Sequence, residues 1–299
     1  MQTNKDSAMQ DVQSTTVQSR VRPSRRGKTR WGVHLGLIVV CFVICIPALY
    51  ALQVATLTTN ESFLVPPKLF PPSGDFDNNV RTLWDSRGFD QLILNTVVIS
   101  LVVVVAKTAM AMLAGMVFVF YRFPGRVFLF FFVLLTLLLP TEIILQPLVD
   151  LMAELQWGAN NPRLVLTMPF LASAVGVFLF RQHFTNIPRE LAEAAQIDGA
   201  TAPRFLFSVL VPMSWNVIGA HAMIQFIAMW NQYVWPVVMS LDREDQVIQV
   251  GVANAATVSG QADFGLLMTA GVIASIPPLI LFILLQKQFM SGFTLTRDK

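Results

Sequence analysis

The sequence predicts an all-α, polytopic membrane protein with six transmembrane helices and both termini on the cytoplasmic side. Three observations carry that expectation. The chain is 54% hydrophobic and only 13% charged, where ordinary soluble domains carry about 25% charge. Charge-free runs recur at 31–60, 91–106, 108–121, 127–141, 164–180, 205–241 and 264–286. A spanning helix needs roughly 20 mostly apolar residues, and joining the two runs beside Lys107 leaves six spans. Finally, arginine and lysine alternate between connections in the manner that sets membrane orientation.

The tail, residues 1–30, holds Arg20, Arg22, Arg25, Arg26, Lys28 and Arg30 with no acid after Asp11. It reads as a disordered, basic, cytoplasmic segment whose charges hold the first span in place; a lipid- or nucleic-acid-binding arm is the weaker alternative. Spans are expected near 33–57, 93–120, 127–148, 164–182, 214–238 and 265–287. The first is longer than a signal-peptide core and is expected to be retained. Cys41 and Cys45 lie on one face of it and read as small apolar residues in lipid. The loop 58–91 carries Glu61, Asp75, Asp77, Asp85 and Asp90 against Lys68, Arg81 and Arg87, whereas the tight turn "YRFPGR" carries Arg122 and Arg126. Outside and inside therefore alternate as the rule requires. The run 205–241 is too long for one span at about 1.5 Å per residue across a core of about 30 Å. Pro212 is the expected break, with 204–211 along the membrane surface. The last nine residues, 291–299, form a cytoplasmic C-terminal tail.

Between the fourth and fifth spans lies "IPRELAEAAQIDGATAPRF". Pro188 suits a helix start, Glu190 and Glu193 favour its positive end, and Gly199 can take the left-handed conformation that stops it. Pro203 then fits the first turn of a second short helix. The result is a cytoplasmic helix, a sharp turn and a second helix with small side chains, suited either to docking or to an ordinary amphipathic connection.

Spacing then matches a family signature. Glu193, Ala194 and Ala195, three residues, Gly199, nine residues, and then Val209, Val211 and Pro212 resemble the EAA motif of ABC importer permeases, with valines where Ile and Leu are usual. The resemblance extends over most of the chain from about residue 31, through "TLLLPTEIILQPLVDLMAELQ", "FLFRQHF" and "WNQYVWPVV". It is to the carbohydrate-type, maltose-permease-like class with the type I importer fold, and within that class to glycerol-3-phosphate permeases. It implies a six-helix permease domain over 31–290 with a coupling loop at 185–212. Glu193, Ala194, Ala195 and Gly199 would contact a separate ATPase subunit, with Arg189 and Asp198 as polar partners. It also implies a homologous second permease chain forming a heterodimer, two ATPase subunits that bind ATP and Mg, an extracytoplasmic solute-binding protein, and a place in a bacterial cell membrane.

Polar groups inside spans are costly and usually face a cavity or a partner. Lys107, Glu142, Gln225, Trp230, Asn231, Gln232 and Trp235 are candidates for a substrate path. "MWNQYVW" combines aromatic faces with amides, which suits a polyol, but its aromatics also suit an interfacial belt. Lys107 could attract a phosphate; a structural pairing, with Glu142 or against the partner permease, is the better supported role. Pro140, Pro147, Pro277 and Pro278 mark places for irregular helix.

Other functions lack their signatures. "RGKT" has Arg22 where a phosphate-binding loop needs Gly, His34, His183 and His221 show no metal-ligand spacing, and no nucleophile elbow occurs. No catalysis, bound cofactor, metal or nucleic acid is expected. A secondary transporter is the rival class, but no inverted repeat stands out. Glycerol 3-phosphate or a glycerophosphodiester, moved by alternating access, is the expected substrate, with an oligosaccharide of the trehalose or maltose type as the alternative.

Overall fold

The computed structural model describes residues 31–62, 64, 72–157, 161–240, 242–255, 257–258 and 261–293. The tail expected at 1–30 lies outside the described residues, as do residues 294–299 of the tail expected at 291–299, whose first three residues continue the last helix. The chain divides into two compact units, Met1–Pro47 and Ala48–Lys299, each taken by itself.

In the first unit the described residues, 31–47, belong to helix α1 (Trp31–Val54). Its side chains are exposed all round, an apolar surface without a polar face, as suits a helix in lipid. Cys41 and Cys45 are exposed thiols on it.

In the second unit, Val54, Ala55 and Leu57 are buried at the end of α1. Asn79 of α2 (Phe76–Arg81) donates to the carbonyls of Ala55 and Leu57 at 3.1 and 3.0 Å. The long helix α3 (Phe89–Phe120) forms the central strut. It packs on α7 (Ala174–Thr185) and α10 (Trp215–Trp230), and α10 in turn packs on α13 (Phe264–Phe293). Small residues permit the α3–α7 approach. A Cβ on Gly115 would lie 2.9 Å from Phe180 Cβ and 3.1 Å from the Arg181 nitrogen, and one on Gly176 would lie 2.8 Å from Ala111 Cβ.

Three apolar clusters run along this strut. At the C-terminal end of α3, Met116 and Phe118 join Phe180, Phe184, Phe205 and Leu210. Phe120 meets Phe205 edge-on at 5.2 Å. At the N-terminal end, Phe89 and Leu92 join Trp230, Ile248, Leu266 and Ala270. Between them, Ile99 and Val103 join Val165 and Trp235. The N-terminal end is further fastened to the 243–248 segment: Asn95 donates to the Glu244 carbonyl at 2.6 Å, and the Ile248 amide donates to Thr96 Oγ1 at 2.8 Å.

The helices α1, α3 and α13 are continuous, apolar and long enough to cross a membrane. The third and fourth expected spans are broken within their lengths, the third at Pro140, where the sequence expects irregular helix, and a sharp bend precedes the fifth. The third consists of Arg126–Leu138 and Ile143–Glu154, bent by 101°, and the fourth of Pro162–Phe170 and Ala174–Thr185, bent by 44°; Ala202–Met213 meets the start of the fifth, Trp215–Trp230, at 85°. The last break falls at Ser214 rather than at Pro212. Pro212 lies near the end of the helical run Ala202–Met213, and the wide turn Leu206–Leu210 ahead of it makes room for its ring, which a regular helix interior would not. The fifth helix also ends at Trp230, short of the expected 238, and a separate helix α11 (Val234–Met239) follows. By contrast α13 continues through Pro277 and Pro278. The described residues are helical or irregular except for two short strands, Thr257–Val258 and Gln261–Ala262, paired antiparallel.

Candidate coupling site and membrane path

The 188–212 segment folds as local chemistry directs. Pro188, in an extended conformation, precedes helix α8 (Arg189–Ile197). Gly199 takes φ 69°, and two backbone bonds close the turn: Gly199 to the Gln196 carbonyl at 3.0 Å and Ala200 to the Ala195 carbonyl at 2.9 Å. This is the Schellman arrangement that satisfies a helix's last carbonyls. Thr201 leads into α9 (Ala202–Phe205), with Pro203 in its first turn.

Helix α8 is fixed by its small residues. Ala192 is buried and Ala195 is half-buried against the cluster at the end of α3. Arg189, Glu193, Ala194, Asp198 and Gly199 are exposed, and Ile197 is 86% exposed. Leu191, Ala194 and Ile197 therefore make an outward apolar line beside Glu190 and Glu193, an unpartnered face. Of the alanine pair in the motif, Ala194 stands outward and Ala195 turns toward the unit. Ala192, outside the motif, is the deeper anchor, and nothing in the local pattern distinguishes it. Beside α8 opens a cavity of about 700 Å³ that Arg122, Arg126, Arg189 and Glu193 share; the sequence treats the first two arginines only as markers of orientation.

Deeper in the helices, α3 and α10 carry two polar rungs one turn apart. Lys107 Nζ donates to Gln225 Oε1 at 3.0 Å, and Thr108 Oγ1 lies 3.0 Å from His221 Nδ1. His221 is 1% exposed and its ring meets Phe180 edge-on at 5.4 Å. Glu142 sits in α5 (Thr141–Glu154), but its side chain lies outside the described residues. Trp230 is 1% exposed, stacks on Phe226 at 5.6 Å and donates Nε1 to the Ala274 carbonyl at 3.0 Å. Trp235 is likewise buried and donates to the Val165 carbonyl at 3.0 Å. Both indoles thus tie α10 and α11 to neighbouring helices. Asn231 is exposed and accepts from Gln249 Nε2 at 3.2 Å, while Gln232 is half-buried beside it. Trp230, Asn231 and Gln249 line a cleft of about 470 Å³ with Ala274, Ser275 and Phe282.

Continuous and broken apolar helices surrounding a polar seam, with an exposed helix–turn–helix at one end, define a membrane transport subunit. The chain belongs to the family of binding-protein-dependent transport system inner membrane components, whose model matches residues 107–294. It is 34% identical over 266 residues to the sn-glycerol-3-phosphate transport system permease protein UgpE of Pectobacterium atrosepticum, covering 87% of this chain and 94% of that one. It is also 34% identical over 276 residues to the UgpE of Salmonella typhi, covering 90% and 97%. Among solved structures it resembles a bacterial ABC transporter involved in the import of the acidic polysaccharide alginate, with a TM-score of 0.71 at 21% identity over 87% of this chain and 96% of that one; this likeness is one of fold. The protein is accordingly an inner-membrane permease subunit of an ABC importer, in a family that is not catalytic.

Proposed function

We propose that this permease imports glycerol 3-phosphate or a glycerophosphodiester by alternating access. It would act beside a homologous second permease, with two ATPase subunits holding ATP and Mg and an extracytoplasmic solute-binding protein. The bent pairs of the third and fourth spans each serve as one span and Trp215–Trp230 with α11 makes the fifth, giving six across 31–290, with 1–30 and 291–299 in the cytoplasm. The charge distribution supports this orientation. Arg122, Arg126, Arg181, Arg189 and Arg204 gather at the end of α3 where Phe120 meets Phe205, against Arg81, Arg87 and Arg243 at the other, an excess of the sign that the positive-inside rule associates with the cytoplasm.

The exposed face of α8 is the observation that carries the coupling role. A short rigid helix, anchored by Ala192 and closed by Gly199, offers Glu193, Ala194 and Ile197 to a cleft on the ATPase. Arg189, Asp198 and Gly199 border that contact, and Ala195 sets its depth. Rigid-body movement of the ATPases would pass through this helix to α7 and α10.

For the substrate, the names of the relatives support a phosphate ester. So does the position of Lys107, whose ammonium donates to a neutral amide, Gln225 Oε1, rather than to a carboxylate. Asn231 and Gln232, with Gln225, would supply hydrogen bonds to hydroxyls along the path.

The test is reconstitution with the cognate partners. Calorimetry of the solute-binding protein should show binding of glycerol 3-phosphate or glycerophosphocholine in preference to trehalose and maltose. The same ligand should stimulate ATP hydrolysis, and Glu193→Lys should cut that stimulation by about tenfold or more. A response to disaccharide alone would defeat the substrate assignment; normal stimulation in Glu193→Lys would defeat the coupling assignment.

A further inference from the structure

The cavity between the 121–126 turn and α8 includes two arginines, Arg122 and Arg126, that the coupling contact does not use. Its volume is about 700 Å³, and its lining is divided in character: Arg122, Arg126 and Arg189 face it together with Glu193 and Gln196, over a floor that includes Phe120 and Phe123. Three guanidiniums against one carboxylate leave a net positive charge. Arg126 uses one nitrogen to hold the Tyr121 carbonyl at 3.3 Å; Arg122 and Arg189 have no hydrogen-bond or ion-pair partner among the described residues. The apolar part of the lining continues outward through Val127 and Phe128, which are 62% and 76% exposed on the helix that starts at Arg126.

Resting on the orientation given under Proposed function, we propose that this cavity binds the phosphate headgroup of an anionic phospholipid from the cytoplasmic leaflet. Planar guanidinium forks match phosphate oxygens, and basic pockets between membrane helices on the cytoplasmic side favour such headgroups. A free phosphate ester would satisfy the arginines equally. The apolar floor and its continuation along Val127 and Phe128 give an acyl chain a course that a soluble anion would not need. Because α8 forms one wall through Arg189, Ala192 and Glu193, an occupying lipid would touch the helix that meets the ATPase.

The experiment is native mass spectrometry of the assembled importer, exchanged into phosphatidylglycerol or phosphatidylcholine. The wild type should retain phosphatidylglycerol preferentially. Arg122→Gln with Arg126→Gln should weaken that retention by about thirtyfold, the usual worth of two interfacial cations, while both positions changed to Lys should keep most of it. Arg163→Gln, an arginine outside this cavity, should leave it unchanged. Equal retention of the two lipids by the wild type, or of phosphatidylglycerol by the glutamine variant, would overturn the proposal. So would displacement by excess inorganic phosphate, which would assign the cavity to a soluble anion, or lipid binding only after the ATPases are stripped away, which would assign it to them. If the glutamine variant does not assemble, a photo-crosslinking phosphatidylglycerol on the wild-type complex decides by whether it marks Phe128. Orientation is read separately, by labelling Pro124→Cys with an impermeant maleimide in a background with Cys41→Ser and Cys45→Ser: labelling from outside would overturn the orientation and with it the cytoplasmic leaflet, whereas the lipid measurements above decide whether the cavity holds a headgroup.

Discussion

At Gly115 a single hydrogen atom stands where any side chain would collide. The nearest atoms to an added Cβ are Phe180 Cβ at 2.9 Å and backbone of Arg181, neither of which can swing aside. Gly115→Ala should therefore lower stability by about 1–3 kcal/mol, seen as a reduced thermal midpoint of the purified complex; an unchanged midpoint would mean that α3 and α7 pack more loosely than described. Gly199 differs, because nothing lies near its missing side chain and the constraint is its φ of 69°. Gly199→Ala costs about 1–2 kcal/mol locally. It should reduce substrate-stimulated ATP hydrolysis while sparing the thermal midpoint, with Gly199→Asn closer to the wild type. Thr108→Val would remove the partner of His221 Nδ1 and should cost about 1–3 kcal/mol by leaving a buried polar atom unsatisfied. The left-handed glycine and the proline of the second helix were legible in the sequence because they obey local backbone rules. Which alanine of α8 turns inward was not, since that depends on how α9 and α3 approach it. Nor could "MWNQYVW" reveal that both tryptophans are committed to backbone carbonyls on other helices.

Helix length, not hydrophobicity, separates the two kinds of span. Composition marks an apolar stretch equally well whether one helix or two fill it, so α1, α3 and α13 were readable from the sequence, the breaks near Pro140 and Pro212 were signalled by proline and by length, and the bend at 171–173 was not. Proline was an uneven guide: Pro140 lies at a break, Pro212 two residues before one, and Pro277 and Pro278 inside an unbroken helix. The outcome turns on whether neighbouring helices can satisfy the freed carbonyls. The α3 helix, with 32 residues, runs about 48 Å and exceeds a hydrocarbon core of about 30 Å, so it must tilt or project. Hydrogen exchange on the purified complex should show the strongest protection in the middle of α3 and α10, and fast exchange at 139–140, 171–173 and 231–233. Uniform protection across 126–154 would mean that the third span is a continuous helix in the membrane.

For the molecule as a whole, the two ends of α3 differ in charge character, and the proposed orientation assigns the arginine-rich end to the cytoplasm. In a background with Cys41→Ser and Cys45→Ser, Ala194→Cys should react with an impermeant maleimide from the cytoplasmic side alone and Arg243→Cys from the opposite side alone; labelling of both from one side would break the six-span arrangement. The closed turn at Gly199 also has a consequence for how such a chain can vary. Helix α8 is clamped at its far end by the Schellman turn and on one flank by Ala192, so its angular phase is fixed relative to the membrane helices. Inserting or deleting one residue between Pro188 and Gly199 would rotate Glu193 by about 100° and swing the apolar line of Leu191, Ala194 and Ile197 off its target. This connection should absorb many changes of residue and almost none of length, whereas surface loops ordinarily tolerate both.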